Sequence, residues 1–219
     1  MTKPATRPMT RPLRQVLVLL HMTTAFGWLA ISGAVLLLTI HGLGIDDPTA
    51  RHDVFAVAAH LDDKLLADFS FMTVYTGLML AGLTPWGYTR FWWVTVKLVL
   101  ALACALGGRA VFGRWLTEAT TVGRPVPGTA LIWGTVLMIT AIAFAAWVAR
   151  TKPWGQIGRN REPAQPWAHP ALWVVVILTP VADYLTDLPL QAIPAAIVLG
   201  HHAHRTFRPR PDRQRTANV

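Results

Sequence analysis

The sequence predicts an all-α, polytopic helical membrane protein: a four-helix core bundle followed by a C-terminal pair of short helices. Three observations carry this. The 219-residue chain is 53% hydrophobic and only 14% charged, whereas a soluble domain carries about 25% charged residues. The charges gather at the termini and in the connections, which leaves long apolar runs. The first of these, residues 15–40, is long enough to cross a hydrocarbon core of about 30 Å, which takes about 20 helical residues.

Residues 1–14 hold Lys3, Arg7, Arg11 and Arg14 among Pro4, Pro8 and Pro12, the composition of a disordered basic arm. The apolar run behind it exceeds the roughly 7–15 residues of a signal-peptide core. The expectation is therefore an uncleaved first helix over 13–40, with Ser32-Gly33-Ala34 as a minor cleavage possibility. Residues 41–60 read as a loop and, being the least basic connection, as the outer one. Helix 2 is expected over 61–83. Asp62 and Asp63 at its start suit the positive end of a helix dipole, and Asp68 follows Lys64 at pairing distance along the helix.

Pro85-Trp86-Gly87 ends helix 2, helix 3 is expected over 91–107 with Lys97 inside, and 108–128 reads as a connection. Helix 4, over 129–149, has no ionisable residue, and Arg150, Lys152, Arg159 and Arg161 after it mark a cytoplasmic loop. Two further apolar stretches, 170–182 and 188–200, are each short for a crossing. Read as two helices with Asp183 and Asp187 at an outer turn, they keep the arm, the 150–162 loop and the basic tail on one side. The alternative is one long helix kinked at Pro180, Pro189 and Pro194. The layout is thus a basic arm (1–14), a transmembrane domain (15–200) and a basic tail (201–219), with both termini cytoplasmic and the plasma membrane as location. Trp86, Trp92, Trp93, Trp147, Trp154, Trp167 and Trp173 fall at inner ends, where Trp favours the interface. A second Pro-Trp-Gly, at 153–155, hints at two related hairpins.

The net charge of +9 and pI of about 10.8 point to anionic lipid headgroups as partners, since the basic residues flank apolar spans. No aromatic-basic platform for nucleic acid stands outside the spans. Lone Cys104 excludes an intrachain disulfide, and no motif for hydrolysis or nucleotide chemistry is present.

The chemistry concentrates on two residues. An ionisable side chain within an apolar span is a functional candidate by default. His21 lies about 12 Å along helix 1 and Lys97 about 9–10 Å along helix 3, both counted from the inner face at 1.5 Å per residue. They therefore share a depth. His21, Thr24, Trp28 and Ser32 recur on one helical face, as do Trp93, Lys97, Ala101 and Cys104, and Tyr75 lies in the same half. A neutral imidazole suits an iron, and an ammonium suits a propionate or a quinone oxygen. Equally, His21 can hydrogen-bond a neighbouring helix and Lys97 can snorkel to the headgroups. His41, His52 and His60 with Asp53 offer Cu(II) or Zn ligands without a sharp motif, and His201, His202 and His204 read as interfacial.

The stretches LVLLHMTTAFGWLAISGAVLLL, AGLTPWGYTRFWWVTVKLVLAL and RTKPWGQIG resemble actinobacterial predicted integral membrane proteins of unknown function over residues 13–160. More distantly, His21 with Trp28, and Trp93 with Lys97 and Leu98, are similar to motifs of HemJ-type protoporphyrinogen oxidases, and the scaffold is similar to CopD-type copper-resistance membrane proteins. Where HemJ-type proteins carry a basic, Tyr-containing segment before helix 2, this chain has AAHLDDKLLADF. The resemblance implies haem b as cofactor, with a functional His and Lys. The expected site is therefore His21 as metal ligand, with Lys97, Trp28, Tyr75 and Trp93 around the cofactor. The other functions carried forward are a structural or accessory subunit with a membrane-protein partner or a second copy, and copper handling.

Overall fold

The computed structural model describes residues 10–121, 127–157, 169–186 and 190–207. Among these, the regular structure is helical throughout: α1 (Thr10–Leu43), α2 (Pro48–Leu61), α3 (Ala67–Leu83), α4 (Trp92–Gly107), α5 (Gly113–Ala119), α6 (Gly128–Thr151), α7 (Pro170–Thr186) and α8 (Ala192–Phe207). The expectations placed on Arg159, Arg161, Trp167, Asp187 and Pro189 lie outside the described residues.

Two connections expected as loops are helical. Asp47 accepts the amide of Ala50 at 2.8 Å and Pro48 follows it, so the pair starts a helix at once. That helix runs through a π-turn at Asp62–Leu66 directly into α3, making one span from Pro48 to Leu83. The true loop of 41–60 shrinks to 44–47. Asp62 and Asp63 thus sit in mid-helix, where no orphan amides or dipole end await them, and the first-turn reading fails. Likewise α4 continues through a π-turn at Gly108–Phe112 into α5, taking up much of the expected 108–128 connection.

Among the described residues, four spans are long and apolar enough to cross a membrane: Arg11–Leu43, Pro48–Leu83, Trp92–Ala119 and Gly128–Thr151. They form a ring in which α1 packs on α3 and α6, and α4 packs on α3 and α6. Side-chain contacts fix the register. Phe69 lies on Gly27 and Phe55 on Gly42; Arg109 pairs with Asp63; Met138 touches Gly108; Leu43 lies on Gly128. Every neighbour is antiparallel, so α1 and α4 occupy opposite corners. We call the end where α1 begins proximal and the other end distal.

The interior stripe of α1 is Leu17, Thr24, Trp28, Ser32, Val35 and Thr39, all buried, recurring at three and four residues. Its outer face presents Val16, Leu19, Met22, Phe26, Leu37 and Ile40 to the surroundings. Exposed apolar belts of this kind on long helices fit an integral membrane protein, because lipid, not water, is their compatible solvent. Buried hydroxyls turn back on their own helix: Thr39, Thr73, Thr76 and Thr135 each donate to the carbonyl four residues earlier.

α7 and α8 are two helices rather than one kinked rod. The Asp183 carboxylate closes the turn between them by accepting from the Leu190 amide at 2.6 Å and the Gln191 amide at 3.3 Å. Both pack on the proximal half: Trp173, Val176 and Val198 join Leu17, Tyr75, Met79 and Trp93 in one buried cluster. A second, distal cluster gathers Trp28, Val35, Phe55, Leu66, Phe112, Leu116 and Leu131.

Candidate functional site

His21 points into the bundle at the α1–α3 contact. Its Nδ1 lies 2.9 Å from the Thr76 hydroxyl oxygen. That hydroxyl already gives its own proton to the Met72 carbonyl at 2.7 Å. Thr76 can therefore only accept from the ring, so Nδ1 carries the hydrogen and Nε2 keeps its lone pair. The ring also hydrogen-bonds the Thr73 backbone one turn earlier on α3. Gly77 makes the approach possible: a Cβ there would stand 3.1 Å from the imidazole Cε1.

Lys97 lies at the same level. From the Arg109–Asp63 pair, twelve residues toward the proximal end of each helix bring Lys97 opposite Tyr75 and Thr76. Its charge reaches the His21 imidazole from the opposite corner of the ring. No carboxylate among the described residues acts on either side chain. The proximal interior thus holds an imidazole and an ammonium, with no carboxylate among the described residues acting on either.

The other expected residues divide. Trp28 continues the His21 face two turns distally. It is 2% exposed, and its indole N–H finds no acceptor among the described residues. Tyr75 neighbours Thr76 in sequence but faces away from His21: its hydroxyl donates to the Val176 carbonyl of α7 at 3.3 Å. Trp93 belongs to the proximal turn, edge-on to Trp86 at 5.6 Å and beneath the Lys152 ammonium at 5.7 Å. There the two Pro-Trp-Gly segments meet. The Ile157 amide donates to the Arg90 carbonyl, and the Trp92 amide to that of Gly155. Burial pushes the Tyr88 phenol in this turn above its ordinary range, and its ring stands edge-on to His202.

His41 and His60 are exposed on separate helices, and His52 lies 3.3 Å from its neighbour Asp53. Among the described residues no three His, Cys, Asp or Glu side chains converge as a metal site.

A second polar level was not expected. At the facing π-turns Arg109 donates to Asp63 at 2.8 Å, and Lys64 lies 3.6 Å from the same carboxylate. Asp62, one residue away, is buried. Phe69 rests on Gly27, and each polar level lies six residues from that contact in opposite directions. At 1.5 Å per residue the two levels stand about 18 Å apart. The sequence signal was present as two adjacent acids and an arginine beside apolar runs. Beside the polar stretches 41–60 and 108–128 those residues look like helix ends.

Comparison of the chain with protein-family models, with curated proteins and with solved structures finds no match in any of the three.

Proposed function

We propose that this integral membrane protein holds a redox group, haem b, in the proximal half of its bundle, with His21 as the axial ligand and Lys97 as the contact for an acidic or carbonyl oxygen of the group. The observation that supports this is the tautomer. A ring whose Nδ1–H is tied to Thr76 presents Nε2 in the oriented, basic form that metal-ligating histidines take when their other nitrogen is hydrogen-bonded. The Lys97 ammonium, on which no carboxylate among the described residues acts, is a further donor that a bound group would satisfy. Haem would supply one-electron chemistry; the chain would orient it and hold its charge. In this reading the proximal end is cytoplasmic, the basic termini contact anionic headgroups, and a membrane-protein partner or a second copy passes the electron. The test is a visible absorption spectrum of detergent-extracted protein from haem-supplied cells. A Soret band that His21→Ala abolishes is expected; colourless wild-type protein overturns the reading.

A second reading has its own observation. The imidazole lies flush on Gly77 and Thr76, so His21 also serves as an interhelical fastener, as an accessory subunit without cofactor requires. Colourless protein whose melting temperature falls in His21→Ala while its co-purifying partners remain would favour this reading over the first.

A further inference from the structure

We propose that Asp62 is a proton-binding carboxyl in the distal half of the bundle. Four observations place it in that role. Asp62 is 5% exposed, and its carboxylate forms no hydrogen bond among the described residues. It lines a small crevice with Ser70, Cys104, Gly108 and Arg109, between the two π-turns. Its Oδ2 occupies the space that Gly113 leaves by lacking a side chain, 3.1 Å from where a Cβ would stand. Arg109, the cation facing it, commits an N–H to the other acid, Asp63.

The charge balance follows. Arg109 from the facing helix and Asp63 beside it are the charges that act on Asp62; Cys104 shares the crevice. On its own helix, Lys64 reaches Asp63, and the charge of Asp68 reaches Arg109. α1 brings no ionisable group to this level, and α6 has none between 129 and 149; the adjoining α5 carries Arg114 and Glu118 and the end of α2 carries His60, all three exposed. One guanidinium thus serves a partly exposed acid fully and a buried acid in part. A proton on the Asp62 carboxyl removes the second negative charge that Arg109 otherwise shares with Asp63. Protonated Asp62 leaves Arg109 wholly to Asp63; deprotonated Asp62 draws on the same cation. π-turns recur at functional sites in helices, and here two face each other across the acid. The inference does not rest on the haem reading, since His21 lies about 18 Å away by helical rise.

The test is dicyclohexylcarbodiimide, which modifies protonated carboxyls reached from an apolar phase, applied to the full chain in nanodiscs with the adduct mapped by peptide mass spectrometry. The expected result is an adduct on Asp62 that falls as the pH is raised. It should be lost in Asp62→Asn, retained in Asp63→Asn, and weakened in Gly113→Ala, where a methyl crowds Oδ2. Mapping on the wild-type chain needs no variant, so a poorly folding Asp62→Asn does not obscure the answer. No adduct on Asp62 at any pH, an adduct spread equally over Asp62, Asp63 and Asp68, or one suppressed by sodium ions and indifferent to pH would overturn the proposal.

Discussion

The two polar levels of the bundle solve opposite problems. The distal one sets acids against a base between adjacent helices, with Arg109 and Asp63 partly exposed and Asp62 inside. The proximal one sets two bases across the interior from opposite corners, with no acid among the described residues acting on them. Ion pairs between neighbouring helices hold a fold together. Unpaired basic groups aimed inward do not, and in an apolar medium they persist only at a cost. The distal level therefore carries an interhelical ion pair with a buried acid beside it, and the proximal level two bases that no carboxylate among the described residues offsets.

Substituting each cation by an apolar side chain of similar length should break the comparison most sharply. Arg109→Met leaves Asp62 buried without its cation and Asp63 without its 2.8 Å partner. The loss should be about 1–2 kcal/mol: the exposed Arg109–Asp63 pair accounts for up to about 1, and the buried Asp62 for the rest. Lys97→Met should do the reverse in ligand-free protein and raise stability by up to about 1 kcal/mol, because it removes a half-buried charge without orphaning a partner. Thermal unfolding in one detergent measures both, and shifts of the same sign would show that the two levels are alike.

Gly77→Ala sharpens the proximal side alone. A methyl 3.1 Å from Cε1 pushes the imidazole off Thr76. The expected cost is about 1–2 kcal/mol, within the range for overpacked sites. Any Soret band should shift or vanish with it. Intact stability together with an unchanged spectrum would mean that the ring is not seated as described. Thr76→Val, which removes the acceptor for Nδ1–H, should cost about 0.6 kcal/mol and at most about 1.7, the average and the maximum for hydrogen bonds between membrane helices. Thr76→Ser should recover it, since the hydroxyl can still give its proton to the Met72 carbonyl.

These contrasts also show what the sequence could and could not reveal. The depth shared by His21 and Lys97 was legible, because counting 1.5 Å per residue from two helix starts needs only the apolar boundaries. The azimuth of Tyr75 was not. It depends on α7, which lies far along the chain and meets α3 only in the folded protein. The Asp62 site was lost through a single misplaced boundary. The polar stretch at 48–60, with Arg51, His52, Asp53 and His60, looks like a loop. Yet Asp47 and Pro48 cap it as a helix whose apolar side, Phe55 and Ala58, is buried in the distal cluster. Once the start of helix 2 was set at 61, Asp62 and Asp63 became first-turn residues and their real neighbours across the π-turns dropped from view.

Lys64→Ala should have the smallest effect and serves as the inner control of the distal level. Lys64 stands 3.6 Å from Asp63, with side-chain exposures of 65% and 48%. An exposed pair at that separation gains little over its solvated ions and costs side-chain freedom to hold, so the change should stay within about 0.5 kcal/mol. Asp63 would keep Arg109 at 2.8 Å. A loss as large as that of Arg109→Met would mean that the acids at the π-turns draw on a pooled cationic charge. The assignment of Arg109 as the one cation balanced between Asp62 and Asp63 would then fall, because either base could release the buried carboxyl.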